Sequence, residues 1–75
     1  MWDRKLFSER VKYIRKEKKL SQQDVGEGIG ASLKLISAVE RGNKLLSMET
    51  LISLADYFNV SLDYLAGRSD NPERR

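Results

Sequence analysis

The sequence predicts an all-α fold, a compact bundle of about five short helices, on three observations. Apolar residues recur at helical spacing, as at Phe7, Val11 and Ile14, while no segment alternates with period two over the length of a strand. A residue able to cap a helix stands before each periodic segment, at Asp3, Ser21, Ser32, Ser47 and Ser61. Three of the segments run into a glycine, Gly30, Gly42 or Gly67, a common way for a helix to stop. With 75 residues the chain can bury one small core. Without a cysteine it has no disulfide to help, so it must rely on well-packed helices or on a partner chain.

The first helix is expected from Asp3 to about Lys18. Phe7, Val11 and Ile14 form its buried stripe, and the cationic run Arg15 to Lys19 lies against the negative end of its dipole. Ser21 followed by Asp24 has the form of a capping box, which starts a second helix at Gln22. Gly28 weakens that helix by about 1 kcal/mol relative to alanine, with no evident role, and Gly30 ends it. Ser32 caps a third helix, Leu33 to about Arg41, in which Ile36 and Val39 share a face. Ser47 caps a fourth, with Met48, Leu51, Leu54, Ala55 and Phe58 on one side, and Ser61 a short fifth containing Leu62 and Leu65. Residues 1–67 then form one domain. Residues 68–75, with no apolar side chain and the only proline, have the composition of a disordered tail, or of a link to a further domain.

Gly26, Gly28 and Gly30 suggest a phosphate-cradling loop, but the spacing does not match G-x-G-x-x-G and no strand precedes them. In a helical context Gly30 serves a sharp turn, and Gly26 lets the third helix approach closely. Histidine is absent as well as cysteine, which removes the usual zinc ligands and the commonest catalytic base. Asp24 and Glu27, at i and i+3, form an ordinary solvated face, so no enzyme, cofactor or metal site is expected. The charged N-terminus has no signal-peptide core and no stretch approaches a membrane span, so the protein is expected in the cytoplasm, near the nucleoid. Trp2 is expected to pack over the first helix. Net charge is +3, but residues 1–44 carry +5 and residues 45–75 carry −2, with no Lys or Arg between Leu45 and Gly67. An anionic partner would meet the first half.

The segment "LSQQDVGEGIGASLKLISAVERG" resembles the helix-turn-helix of the lambda-repressor-like, Cro and XRE-type DNA-binding proteins. The resemblance extends to Arg10, Val11, Ile14 and Arg15 in the first helix and to "METLISLADYFNVSLDYLAG" in the last two, covering roughly Phe7 to Gly67. Three departures stand out. Gly26 replaces the usual alanine, which should only soften the second helix. Leu45 and Leu46 stand where proline is frequent. Leu33-Lys34-Leu35 opens the third helix, where polar residues are usual.

The resemblance implies that the third helix lies in the major groove of double-stranded DNA. With Ile36 and Val39 inward, Lys34, Ala38 and Arg41 point outward and Ser37 lies beside them. Leu33, Lys34, Ser37 and Ala38 are the candidate base contacts: Lys34 for guanine O6 and N7, Leu33 and Ala38 for a thymine methyl group. Leu35 is expected in the core, whereas Leu33 can serve either role. Phosphate contacts are expected from Gln22, Ser32, Arg41, Asn43 and Lys44. Arg15 and Glu40 hold positions that form a buried ion pair in similar domains.

The implied activity is that of a sequence-specific transcriptional regulator, most simply a repressor bound as a homodimer to a palindromic operator. Leu45, Leu46, Leu62 and Tyr64 are the candidate dimer surface, and neither a membrane nor a small-molecule ligand is called for. The alternative is a protein-interaction module on the same fold, such as an antitoxin or a regulator's partner, which the apolar start of the third helix and the modest charge favour.

Overall fold

The computed structural model describes residues 3–73, so Trp2 lies outside the described residues. Five helices follow in order: α1 (Arg4–Glu17), α2 (Gln22–Ile29), α3 (Leu33–Glu40), α4 (Met48–Phe58) and α5 (Leu62–Leu65). No strand occurs among the described residues.

Each helix starts at its expected cap. The Leu6 N–H donates to Asp3 Oδ1 at 3.0 Å, the Leu35 N–H to Ser32 Oγ at 3.1 Å, the Thr50 N–H to Ser47 Oγ at 3.3 Å and the Tyr64 N–H to Ser61 Oγ at 3.0 Å. At α2 the capping box closes in both directions, each N–H···O distance being 2.9 Å. Every cap satisfies a backbone donor that the helix itself cannot pair, worth about 1 kcal/mol.

The helix ends are equally uniform. Lys19, Gly30, Gly42, Asn59 and Gly67 each have positive φ, from 58° to 80°. After each of them the next N–H reaches back to the last helical turn: Leu20 to the Arg15 carbonyl, Ala31 to Gly26, Asn43 to Ala38, Val60 to Ala55 and Arg68 to Asp63. This is the six-to-one bond of the Schellman motif, which fills carbonyls left open where a helix stops. Lys19 is the unusual member. A side chain in the left-handed region costs about 1–2 kcal/mol, and nothing in the sequence marks this position.

The core joins Phe7, Val11 and Ile14 of α1 to Val25, Ile36, Val39, Leu54, Phe58 and Leu65. The helix pair α2–α3 is held from two sides, with α1 against α3 and α4 against α2, and α5 closes the bundle against α1 and α4. Three expectations need correction. Met48 is 65% exposed: its angular position matches the buried stripe, but it opens α4, where neighbouring Leu45 and Ser47 are exposed too. Periodicity specifies a direction around a helix, not how far along its axis the core extends. Gly28, which seemed to have no role, seats the ring of Tyr57, whose Cε1 would lie 2.4 Å from an added Cβ.

At Gly26 the close neighbour is the interhelical turn and not α3. A Cβ there would stand 2.6 Å from the Ala31 carbonyl oxygen, whose own N–H donates to the Gly26 carbonyl at 2.7 Å. Alanine is therefore not a mild change in this chain, because the obstacle is backbone.

Beyond Gly67 the chain is tied back to the bundle. Arg10 donates to the carbonyl of Ser69 at 2.7 Å and to that of Tyr64. The Ser61 N–H reaches the Pro72 carbonyl at 2.9 Å.

Candidate nucleic-acid interface

The site is built on α3. Its inner face is fixed by Ile36 and Val39, at most 1% exposed, with half-buried Leu35 packed against the same core. Leu35 therefore extends the core, as expected. Fixing that face turns the opposite one outward. Lys34 and Arg41 are exposed, Ser37 and Ala38 half-buried. Leu33 is 50% exposed, so its side chain is available outside the core. The Arg41 guanidinium donates to Ser37 Oγ at 2.5 Å, one helical turn back, which draws a cation along the outer face beside a small hydroxyl. Lys34 makes no ion pair among the described residues.

The edges of this face come from the flanking turns. Ser32, at the head of α3, is exposed and already accepts the Leu35 N–H, which leaves its own proton to donate outward. Past the C-terminal end of α3, Gly42 turns the chain and leaves Arg41, Asn43 and Lys44 exposed. At the start of α2, Gln22 is half-buried and its amide donates to Glu40 Oε1 at 3.1 Å. Asp24 in the same turn accepts the Ser21 backbone N–H, which holds its carboxyl below the usual carboxylate range.

The geometry of α3 against α1 is locked by the Arg15–Glu40 pair. Arg15 Nε lies 2.6 Å from Glu40 Oε2 and Nη2 lies 3.1 Å from Oε1. A third guanidinium proton goes to the Leu20 carbonyl at 2.9 Å. The Glu40 side chain is only 3% exposed. One carboxylate thus joins α1, the first residue of α2 and the last of α3, so that the two helices of the motif hold one relative orientation. The Gln22 contribution was not evident from the sequence, because glutamine at a helix start carries no sign of a partner eighteen positions on.

Of the four candidate dimer residues, Leu45 is 39% exposed. Leu46, Leu62 and Tyr64 are partly buried against the core, and the Tyr64 ring carries the Arg10 guanidinium 4.0 Å from its centroid. The other exposed large apolar side chains among the described residues are Tyr13, Leu33, Met48, Ile52 and Tyr57.

Comparison with known proteins agrees with this geometry. The helix-turn-helix family model matches residues 11–65. The HTH-type transcriptional regulator YqaE of Bacillus subtilis is 38% identical over 66 residues, which are 88% of this chain and 57% of YqaE. The cryptic phage CTXphi transcriptional repressor RstR of Vibrio cholerae is 31% identical over 87% of this chain and 59% of its own length. The chain thus spans somewhat more than half the length of either relative. Among solved structures, the P22 c2 repressor protein in complex with synthetic operator 9T superposes with a TM-score of 0.81 at 33% identity, covering 85% of this chain and 97% of that one. An α2–α3 unit locked through Glu40, with an exposed polar face on α3 and a match spanning most of the bundle, places the chain in the XRE-type, lambda-repressor-like helix-turn-helix family.

Proposed function

We propose that this chain is a sequence-specific, double-stranded DNA-binding transcriptional regulator of the repressor type, which inserts α3 in the major groove. The observation that carries the proposal is the outer face of α3: a cationic and polar strip on a helix whose orientation is fixed by a buried ion pair. Leu33, Lys34, Ser37 and Ala38 meet base edges, while Gln22, Ser32, Arg41, Asn43 and Lys44 hold phosphates. Ser37 and Arg41 act as a pair, since the bond between them orients both. The likeness to a repressor bound to its operator supports the same docking. Residues 1–67 are the DNA-binding unit, residues 68–75 its tail, and the protein acts in the cytoplasm on the nucleoid.

Size argues for two copies on DNA. The longest dimension of the domain is 27 Å, whereas half-sites one helical turn apart are separated by about 34–36 Å. One domain therefore grips one half-site, and a homodimer meeting through Leu45, Leu46, Leu62 and Tyr64 spans a palindrome.

Selection of bound duplexes from a randomised pool at about 150 mM salt tests the proposal. Wild-type protein is expected to enrich a palindrome whose half-centres are about 10 bp apart. Replacing Lys34 with Ala is expected to relax one position of each half-site at a cost of about 1–3 kcal/mol. Enrichment of no motif, with affinity that collapses as salt rises, would mean phosphate contacts alone. A pool left entirely unbound would turn attention to a protein partner.

A further inference from the structure

The first turn of α3 presents an apolar side chain and a cation next to each other. Ser32 caps the helix, so Leu33 and Lys34 are its first two residues, the part of a recognition helix that reaches base edges. Both are exposed, Leu33 by 50%. Leu35, two positions on, packs against the core, so the two leucines of this turn have different surroundings. Leu33 belongs neither to the core cluster nor to the apolar residues packed against it. It is the one large apolar side chain on an outer face otherwise made of Lys34, Ser37, Ala38 and Arg41.

A leucine side chain has no hydrogen-bonding group, so on this face it can recognise only apolar surface. In the major groove that surface is the methyl group on C5 of a pyrimidine. Lys34 is a donor only. It suits guanine, which offers the O6 and N7 acceptors, better than adenine, whose N6 is itself a donor. In unmodified DNA the methyl group belongs to thymine, which pairs with adenine. No single unmodified pair therefore offers a methyl group together with two acceptors. A guanine·5-methylcytosine pair does. We infer that Leu33 and Lys34 together recognise 5-methylcytosine paired with guanine, so that cytosine methylation of the operator strengthens binding. The inference rests on the DNA-binding function proposed above. Leu33 meets the methyl group and Lys34 the guanine of one pair. On unmethylated DNA the same two side chains must divide between thymine and guanine in neighbouring pairs.

The test is the operator selection run on two pools, one amplified with ordinary cytosine and one in which every cytosine is 5-methylcytosine. Wild-type protein is expected to enrich a C·G pair from the methylated pool at a position of each half-site where the ordinary pool yields T·A. On synthetic duplexes carrying that C·G pair, methylating its cytosine should tighten binding about fourfold, the effect of removing one methyl group from water. Leu33→Ala lies outside the core and is expected to melt like wild type. It should lose the gain from methylation while binding the unmethylated duplex nearly as well. In the methylated pool Leu33→Ala and Lys34→Ala should relax the same base pair. The same motif from both pools, or a gain from methylation that survives Leu33→Ala, would overturn the inference and leave the DNA-binding function intact. Relaxation of two different pairs would overturn it as well, by separating the two contacts. Absence of binding to either pool would remove both.

Discussion

Glu40 ties three helices together through one side chain, reaching Arg15 of α1 and Gln22 of α2 from the end of α3. Its carboxylate accepts from Arg15 twice and from Gln22 once while almost wholly out of water. The balance of such a pair is asymmetric. Desolvation of the two charges offsets most of their attraction, so the intact pair adds little net stability, yet removing one partner strands the other. Glu40→Ala would leave the Arg15 guanidinium, itself 12% exposed, with only the Leu20 carbonyl. The expected loss is about 3–5 kcal/mol. A chain of this length has about 4–11 kcal/mol in total, so the variant should lose roughly a quarter of its stability or more, and its urea midpoint should fall accordingly. The double variant Arg15→Met, Glu40→Leu should recover most of that loss, since it buries no charge. A single variant less than about 1 kcal/mol below wild type would show that the pair is solvated, and would remove the argument that it locks the motif.

At the scale of elements, what the sequence disclosed depended on how local the cause was. The helix starts were legible because a cap, its acceptor and the N–H it satisfies lie within four residues, as with Ser21 and Asp24. Glycine stops at Gly30, Gly42 and Gly67 were legible for the same reason. Lys19 was not, because lysine carries no local signal for the positive φ it adopts there. The outward face of α3 followed from Ile36 and Val39 alone, whereas the bond from Gln22 to Glu40 needed the fold. Gly28 was misjudged for a related reason: Tyr57, which sits on it, belongs to α4. That contact carries its own test. Alanine should favour α2 by about 1 kcal/mol over glycine, but its methyl group would enter the Tyr57 ring. Gly28→Ala is therefore expected to be neutral or destabilising in the wild-type chain and stabilising by about 1 kcal/mol once Tyr57 is Ala. Equal effects in both backgrounds, measured by thermal or urea unfolding, would mean that the ring swings aside freely and that α2 and α4 are not coupled at this point.

For the whole molecule, α1 acts as a spine with two functions on opposite flanks. Arg15 faces α3 and the DNA-binding unit, while Arg10, about 140° away around the helix, faces α5 and the segment after Gly67. The Arg10 guanidinium stacks on Tyr64, donates to the Tyr64 and Ser69 carbonyls, and pairs with Asp70 at 2.8 Å. These contacts are unequal. The Asp70 side chain is fully exposed, so solvent screens its pairing and it contributes little. The partly buried carbonyl bonds and the stacking, the latter worth about 0.5–2 kcal/mol, hold the segment in place. Asp70→Asn should therefore change little, whereas Arg10→Ala should release residues 69–73 from the bundle. Amide hydrogen exchange separates the two variants at the Ser61 N–H, which is bonded to the Pro72 carbonyl. Arg10→Ala is expected to speed exchange there by about tenfold or more, since each such factor corresponds to about 1.4 kcal/mol. The core amides of α2 and α3 should slow or quicken only with global stability, and operator affinity should hold, because Arg10 touches neither helix of the motif. Unchanged exchange at Ser61 would mean that Ser61 and Pro72 hold the segment by themselves. Loss of operator binding in a folded Arg10→Ala protein would mean that the two flanks of α1 are coupled, and that the segment after Gly67 reports to the DNA-binding face.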